Sequence, residues 1–271
     1  MPLVIFTHGN SFPGSTYRFL LDRLRERGFQ VEVIDKVGHD ERYPVSSNWP
    51  HLVQQVADFT RQHVEKTGEP AFLVGHSLGG FLSLMAAARH PVLARGVLLL
   101  DSPVLGGWRA TTLGMAKTTQ LIGSISPGAV SRKRRNSWAS KEEALAHFQH
   151  KKAFSRWHPQ ALLDYVELGM HDEDGKRVLS FDRDVETKIY NTLPHNLDRL
   201  LLRHPLQCPV SFIGGIDSAE MRQVGMTMTR KVTEGRIMML DGSHLFPMEQ
   251  PLATAAAIEA SLLNLQRVSQ T

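Results

Sequence analysis

Leu73-Val74-Gly75-His76-Ser77-Leu78-Gly79-Gly80 is the stretch that decides how this chain reads. It passes from the apolar run Ala71-Phe72-Leu73-Val74, through Gly-x-Ser-x-Gly, into an alanine-rich helix-forming segment, Phe81 to Arg89. A serine on a tight strand-to-helix turn is held in a strained backbone conformation. Small residues two positions to either side let the strand and the helix close on each other. Such a turn lifts the hydroxyl above a sheet edge and sets it at a helix N-terminus, where backbone N–H groups and the helix dipole favour developing negative charge. Ser77 is therefore the candidate nucleophile, and the amide of Leu78 directly after it is a candidate donor to an oxyanion.

Outward from this turn, similar apolar runs recur. Leu3-Val4-Ile5-Phe6, Val31-Glu32-Val33-Ile34, Gly96-Val97-Leu98-Leu99-Leu100, Val210-Ser211-Phe212-Ile213 and Arg236-Ile237-Met238-Met239-Leu240 read as strands, most of them apolar enough to be buried on both faces. Tyr17 to Arg27, Trp49 to Lys66, Gly79 to Arg89, Ala219 to Thr233 and Leu252 to Arg267 carry helical spacing or composition. Strand alternating with helix predicts right-handed crossovers: an α/β fold with a doubly wound, mostly parallel sheet of about six strands. In such sheets the chemistry collects at the carboxyl ends of the strands.

The alternation stops after Asp101-Ser102-Pro103 and resumes at Cys208-Pro209, an interval too long for a structureless loop in a compact domain. The expected organisation is a core of residues 1–103 and 206–271 with a largely helical cap inserted at 104–205. Inside the insertion, Ser140-Lys141-Glu142-Glu143 is a capping box before an apolar helical run. Pro159 to Leu168 has a helical pattern with Gly169 at its C-terminal cap, and Asp174-Gly175 reads as a turn rather than a calcium loop.

Composition narrows the function classes. Of 271 residues, 42% are hydrophobic and 21% charged, ordinary for a globular enzyme. Cys208 is the one cysteine, so no intrachain disulfide forms. No apolar run approaches the ~20 residues that span a bilayer, so stable membrane insertion is not expected, and a cytoplasmic location is the default. The net charge of +4 is uneven: residues 131–160 hold eight Lys or Arg against Glu142 and Glu143. Without stacking aromatics or a recognisable nucleic-acid motif, that stretch reads as a solvated helix face, and the expected partner is a small-molecule substrate rather than nucleic acid.

A serine hydroxyl needs a base. Among thirteen histidines, His244 is selected because it follows the last strand, on a loop at the same sheet edge as Ser77. The orienting carboxylate is assigned to Asp217, which follows the penultimate strand and completes a Ser, Asp, His chain order. Asp101, which also ends a strand, is the competitor. The loop after the first strand, His8-Gly9-Asn10-Ser11-Phe12-Pro13-Gly14, supplies a second oxyanion donor, with Asn10 first choice and Ser11 second. Ser11, Phe12 and His76 are further candidates for substrate contact, as are Trp108, Trp138 and Trp157 of the insertion. Met115 and Phe154 could line the same pocket, although aromatics and methionine in a helical insertion more often form its own small core. No metal or organic cofactor is expected, since neither His-Glu-x-x-His nor Gly-x-Gly-x-x-Gly occurs.

Together His8-Gly9-Asn10, Gly75-His76-Ser77-Leu78-Gly79-Gly80, Asp217 and His244 resemble the α/β-hydrolase superfamily over essentially the whole chain. The resemblance implies a nucleophile elbow at Ser77, a cap between the sixth and seventh strands of the family's numbering, and Asp217 as the acid. The chain is most similar to esterase-like hydrolases. His8-Gly9-Asn10 also resembles the corresponding loop of haloalkane dehalogenases, but those enzymes attack with aspartate where Ser77 stands here. The chain begins almost at the His-Gly loop, so the family's leading hairpin is expected to be absent. The activity implied is hydrolysis of small, partly apolar carboxylic esters. Thioesters, lactones and carbon–carbon bonds are served by the same triad, and a ligand receptor on this scaffold is the rival from another class.

Overall fold

The computed structural model describes residues 1–104 and 131–268. All six apolar runs form strands: β1 (Leu3–Thr7), β2 (Gln30–Ile34), β3 (Ala71–His76), β4 (Ala94–Leu100) and, beyond the insertion, β8 (Val210–Gly215) and β9 (Ile237–Leu240). They make one sheet in the order β2-β1-β3-β4-β8-β9, every pairing parallel. β1, β3, β4 and β8 are covered on both faces, which is why their sequences read as continuous apolar runs rather than alternating ones.

Two apolar clusters sandwich the sheet. On one face lie α1 (Arg18–Glu26) and α11 (Pro251–Val268), whose Leu20, Leu21, Leu24, Ile258 and Leu262 pack with Val4, Phe6, Phe72 and Val74. On the other, Leu52, Val53 and Val56 of α2 (Pro50–Thr67) and Leu82, Leu84 and Met85 of α3 (Leu78–Arg89) pack with Ile5, Leu73, Val97 and Phe212. Because the strands are parallel, His8, Ser77, Asp101 and the loops after β8 and β9 all emerge at one edge.

Between β4 and β8 the described part of the insertion is not purely helical. α4 (Lys141–Gln149), α5 (Pro159–Leu168), α6 (Arg183–Asn191) and α7 (Leu197–Arg203) accompany a small antiparallel sheet of β5 (Ser137–Trp138), β6 (Met170–Glu173) and β7 (Lys176–Leu179). The turn at Asp174-Gly175 is the hairpin joining β6 to β7. Positive φ at both residues (49° and 69°) matches the right-handed strand twist. Ser140 caps α4 as expected, accepting from the Glu143 amide, while the Glu143 carboxylate reaches back one residue further than a capping box requires, to Ala139 N–H. Gly169 sits at the C-terminal cap of α5, but with φ −81° its need is for space: a Cβ there would lie 2.6 Å from the Tyr165 carbonyl and 2.8 Å from Thr16.

The described part of the insertion has no core separate from that of the main domain. Trp138, Phe148, Trp157, Leu162 and Tyr165 join the cluster that holds Phe6 and Tyr17 of the main sheet layer. Phe12 of the loop after β1 bridges the two, its ring 5.6 Å from Trp157 and 5.8 Å from Tyr165. Downstream, the helical stretch read as continuous from Ala219 to Thr233 is broken at Gly225 (φ 78°) into α8 (Ala219–Val224) and α9 (Thr227–Thr233). α10 (Phe246–Glu249) precedes α11. No described helix is long and apolar enough to cross a membrane.

Candidate active site

Ser77 occupies the turn between β3 and α3 with φ 52° and ψ −115°, a conformation that costs a non-glycine residue ~1–3 kcal/mol. The glycines make it affordable. A Cβ on Gly75 would lie 2.2 Å from the Gly79 carbonyl carbon, and one on Gly79 would lie 1.9 Å from the Thr7 carbonyl oxygen. The turn is also bonded in place: Ser77 N–H donates to the Leu100 carbonyl (2.9 Å) and Ser102 Oγ donates to the Ser77 carbonyl (2.8 Å).

The Ser77 hydroxyl lies 3.0 Å from His244 Nε2, and His244 Nδ1 lies 2.9 Å from Asp101 Oδ1. The acid beside His244 is thus Asp101, the competitor, and not Asp217. Asp101 follows β4 with φ 45°, its side chain fully buried. Its Oδ1 also accepts from Ser218 Oγ (2.6 Å) and its Oδ2 from Gly215 N–H (2.8 Å). Asp217 points outward: its side chain is 54% exposed and its Oδ2 lies 2.8 Å from Arg156 Nη1. The physical reason is the path of the chain. After Gly215 it turns so that Gly215 and Ser218 face the buried carboxylate while Asp217 turns to Arg156 on the wall of the cavity that opens over Ser77.

Electrostatics fit a general base. Burial works to lower the His244 pKa, but the hydrogen bond and charge of Asp101, joined by the charge of Glu220, outweigh it and leave His244 above its ordinary value. For Asp101, burial pushes upward; the bonds and charge from His244, Gly215 and Ser218 win, and the carboxyl sits below its usual range. Glu220 is the residue sequence reasoning missed here, its Oε2 3.8 Å from His244 Nδ1. Asp101, Glu220 and His244 offer ligand atoms within 4.8 Å of one another, the arrangement a metal could use. Yet Asp101 Oδ1 and His244 Nδ1 are already spent on each other, which fits a triad better than a chelate.

The loop after β1 is held by three buried groups. His8 donates from Nδ1 to the Gly9 carbonyl (2.7 Å) and accepts the Val37 N–H at Nε2 (2.9 Å), and burial lowers its pKa to about 4. Asn10 donates from its amide to the Glu186 carbonyl (3.2 Å), and Ser11, at φ 81°, donates to the Glu186 carboxylate (2.5 Å). Glu186 belongs to α6 of the insertion, is buried, and pairs with Arg134 (2.9 Å). Burial raises its pKa despite Arg134 and Ser11. These cross-links tie the insertion to the loop beside Ser77, and nothing in the local sequence around Glu186 or Arg134 announces them.

A cavity of about 690 Å³ opens over Ser77 and His244. Among the described residues its wall includes Gly9 to Phe12, Phe154, Leu245 and the charged groups Arg134, Lys152, Arg156, Glu186 and Glu220. Asn10, Ser11, Phe12 and Phe154 lie on this wall, and Leu78 follows Ser77 at the first position of α3. His76 reaches the wall, but its ring is fully buried and both nitrogens are bonded, one to Tyr17 and one to the His244 carbonyl. Trp138 and Trp157 are not on the cavity wall. Trp138 packs on His147 and Phe148, and Trp157 on Phe12, Phe154 and Tyr165, because large buried rings stabilise the insertion best where its helices meet. Trp108 and Met115 lie outside the described residues.

Comparison with known proteins places this architecture. A putative non-heme haloperoxidase of Mycobacterium phage D29 is 31% identical over 100 residues, 36% of this chain and only 35% of that protein. A serine hydrolase-like protein of Dictyostelium discoideum is 25% identical over 91% of this chain and 70% of its own length. Among solved structures, E-2-(acetamidomethylene)succinate hydrolase superposes with a TM-score of 0.71 at 22% identity, covering 96% of this chain and 91% of the other, a likeness of fold. The model of the alpha/beta hydrolase family matches residues 4–257, and the chain belongs to that family.

Proposed function

We propose that the chain is a serine hydrolase of small, partly apolar carboxylic esters, with Ser77 as nucleophile, His244 as general base and Asp101 as the acid that orients it. The observation that carries this reading is the continuous line of contacts from Ser77 Oγ to His244 Nε2 (3.0 Å) and from His244 Nδ1 to Asp101 (2.9 Å), with Ser77 at a strained turn.

In the first step Ser77 Oγ attacks the ester carbonyl carbon as its proton passes to His244 Nε2, and the carbonyl electrons move onto oxygen. Imidazolium forms beside a buried carboxylate that is already ionised, so no charge has to be created there. The oxyanion is received by the Leu78 backbone amide, at the first position of α3 where a helix leaves its N–H groups without intrahelical partners, and by the backbone amide of Asn10, whose side-chain amide is engaged with Glu186. Collapse of the tetrahedral adduct breaks the carbon–oxygen bond, and the leaving alkoxide takes the proton from His244. Water then repeats the sequence on the acyl-enzyme, with His244 again as base.

Substrate size follows from the cavity. About 690 Å³ is within the span of small-molecule sites, and Phe12, Phe154 and Leu245 give it an apolar wall beside charged groups. The test is hydrolysis of p-nitrophenyl esters from acetate to decanoate by the wild type and by Ser77→Ala. Turnover with an optimum at short to medium chains, lost in the variant, is the expected result. A wild type as inert as the variant on every ester, while thioesters are cleaved, would move the substrate class to thioesters.

A further inference from the structure

Tyr17 and His76 take no part in the chemistry just described, yet they are among the most buried polar side chains near it, 1% and 0% exposed. They form an unbroken line of hydrogen bonds between two loops. Gly9 N–H donates to Tyr17 Oη (3.1 Å), Tyr17 Oη lies 2.7 Å from His76 Nδ1, and His76 Nε2 lies 2.9 Å from the His244 carbonyl oxygen.

The two ends fix every proton between them. A carbonyl can only accept, so His76 must carry its hydrogen on Nε2 and donate to His244. Nδ1 then holds a lone pair and must accept, so the Tyr17 hydroxyl must donate to it. The lone pairs left on Tyr17 oxygen meet the Gly9 N–H, which can only donate. One orientation satisfies all the groups, and it requires a neutral His76. Burial, helped by the neighbouring His244, pushes the His76 pKa down to about 3, consistent with a ring that stays neutral across the physiological range. Gly9 is glycine for the same reason: a Cβ there would lie 2.8 Å from His76 Nδ1 and 3.1 Å from Tyr17 Oη.

What the line connects matters. Gly9 immediately precedes Asn10 on the oxyanion loop, His76 immediately precedes Ser77, and the carbonyl belongs to His244 itself. We propose that Tyr17 and His76 are positioning residues that hold the oxyanion donor, the nucleophile and the general base in one register. The idea rests on the serine-hydrolase reading above. Without the line, the Gly9 amide and the His244 carbonyl would each be a buried group without its partner, and each loop would settle independently of the other. Near-attack geometry tolerates little of that, since displacement by ~1 Å costs about a hundred-fold.

The experiment uses Tyr17→Phe, His76→Phe and His76→Gln with p-nitrophenyl butyrate, kcat being referred to folded protein by circular dichroism well below each variant's melting temperature. Tyr17→Phe keeps the ring packed on Phe6, whose centroid is 4.8 Å away, and removes only the hydroxyl. The expected result is a fall in kcat of ten-fold or more with KM within three-fold, because the loss lies in the alignment of reacting groups rather than in the substrate pocket. His76→Phe should behave likewise. His76→Gln, a neutral side chain with its own donor and acceptor, should recover most of what His76→Phe loses. Folded Tyr17→Phe and His76→Phe with wild-type kcat overturn the proposal, as does a His76→Gln no better than His76→Phe. If the wild type is inert and indistinguishable from Ser77→Ala, the ester reading fails and takes this one with it. An active wild type, a dead Ser77→Ala and an unimpaired Tyr17→Phe would sink the positioning role alone.

Discussion

Replacing Asp101 by asparagine separates the two carboxylates that compete for the role of acid, and the structure fixes what it should do. Asp101 receives three donors: His244 Nδ1 and Ser218 Oγ on Oδ1, and Gly215 N–H on Oδ2. Asparagine has one acceptor oxygen and one NH2 group. If the NH2 takes the Oδ2 position, it faces the Gly215 amide, donor against donor, on a strand-end backbone that cannot turn away. If it takes the Oδ1 position, the Ser218 hydroxyl can rotate to accept, and the imidazole can shift its proton from Nδ1 to Nε2. The second arrangement is the cheaper, and it places a hydrogen on the nitrogen that should deprotonate Ser77. A base held in the wrong tautomer loses ~10³–10⁴ in kcat, or about 4–5 kcal/mol of transition-state stabilisation. Asp217→Asn, by contrast, disturbs an exposed pair with Arg156 on the cavity wall, away from the Ser77–His244–Asp101 line, and should change kcat by less than about three-fold. The assay is steady-state hydrolysis of p-nitrophenyl butyrate by both variants, with thermal melts to confirm folding. A folded Asp101→Asn within ten-fold of wild type, or an Asp217→Asn that collapses, would refute the reasoning.

Glu220→Gln removes a negative charge 3.8 Å from His244 Nδ1 that favours imidazolium; the acid limb of the kcat/KM profile should therefore move to lower pH, as read from rates between pH 4 and 8. Gly79→Ala drives a Cβ to 1.9 Å from the Thr7 carbonyl oxygen, and urea unfolding should show a loss of about 3 kcal/mol together with loss of turnover. His8 is buried neutral with its pKa lowered from 6.5 to about 4, so between those values the unfolded chain binds more protons than the folded one. The associated stability is fully present above pH 6.5 and is lost as pH falls through about 4, up to about 3 kcal/mol for His8. His76, lowered to about 3, adds in the same direction, and melting temperatures measured from pH 7 to 4 should fall accordingly.

The sheet was legible because its four central strands are buried on both faces. Burial of that kind forces apolar runs such as Val4 to Phe6 and Val97 to Leu100, and short helices between parallel strands leave little choice of topology. The elbow was legible for a different reason: Gly75 and Gly79 answer backbone contacts shorter than any side chain tolerates, so the constraint is written in the sequence itself. The insertion obeyed no such rule. Its β5-β7-β6 sheet has one strand of two residues and two of four, too short for a period to register. Trp138 and Trp157, candidates for the pocket on sequence, serve a core shared with the main domain, because an aromatic side chain carries no mark of which side of a helix it will face. Glu186 and Arg134 came together across more than fifty residues of chain, and no local pattern joins them.

The acid shows most clearly where sequence reasoning ends. β4 and β8 are neighbours in the sheet, so Asp101 and Asp217 leave adjacent strands at the same edge, and chain order alone admits either. What separates them is a single turn of backbone. Asp101 follows β4 immediately and, at φ 45°, directs its carboxylate inward. Two residues of chain lie between Gly215 and Ser218, Asp217 among them, and there Gly215 N–H and Ser218 Oγ turn toward that carboxylate. The loop expected to supply the acid instead supplies the donors that hold it. A buried carboxylate with two donors from one loop and a third from the base is fully paired, whereas an Asp217 turned inward would have set a second negative charge against the first. Ser218 carried the signal: placed just before α8, it accepts the Met221 amide as a helix cap and gives its own proton to Asp101. One hydroxyl thus fixes both the start of the helix and the carboxylate that orients the base.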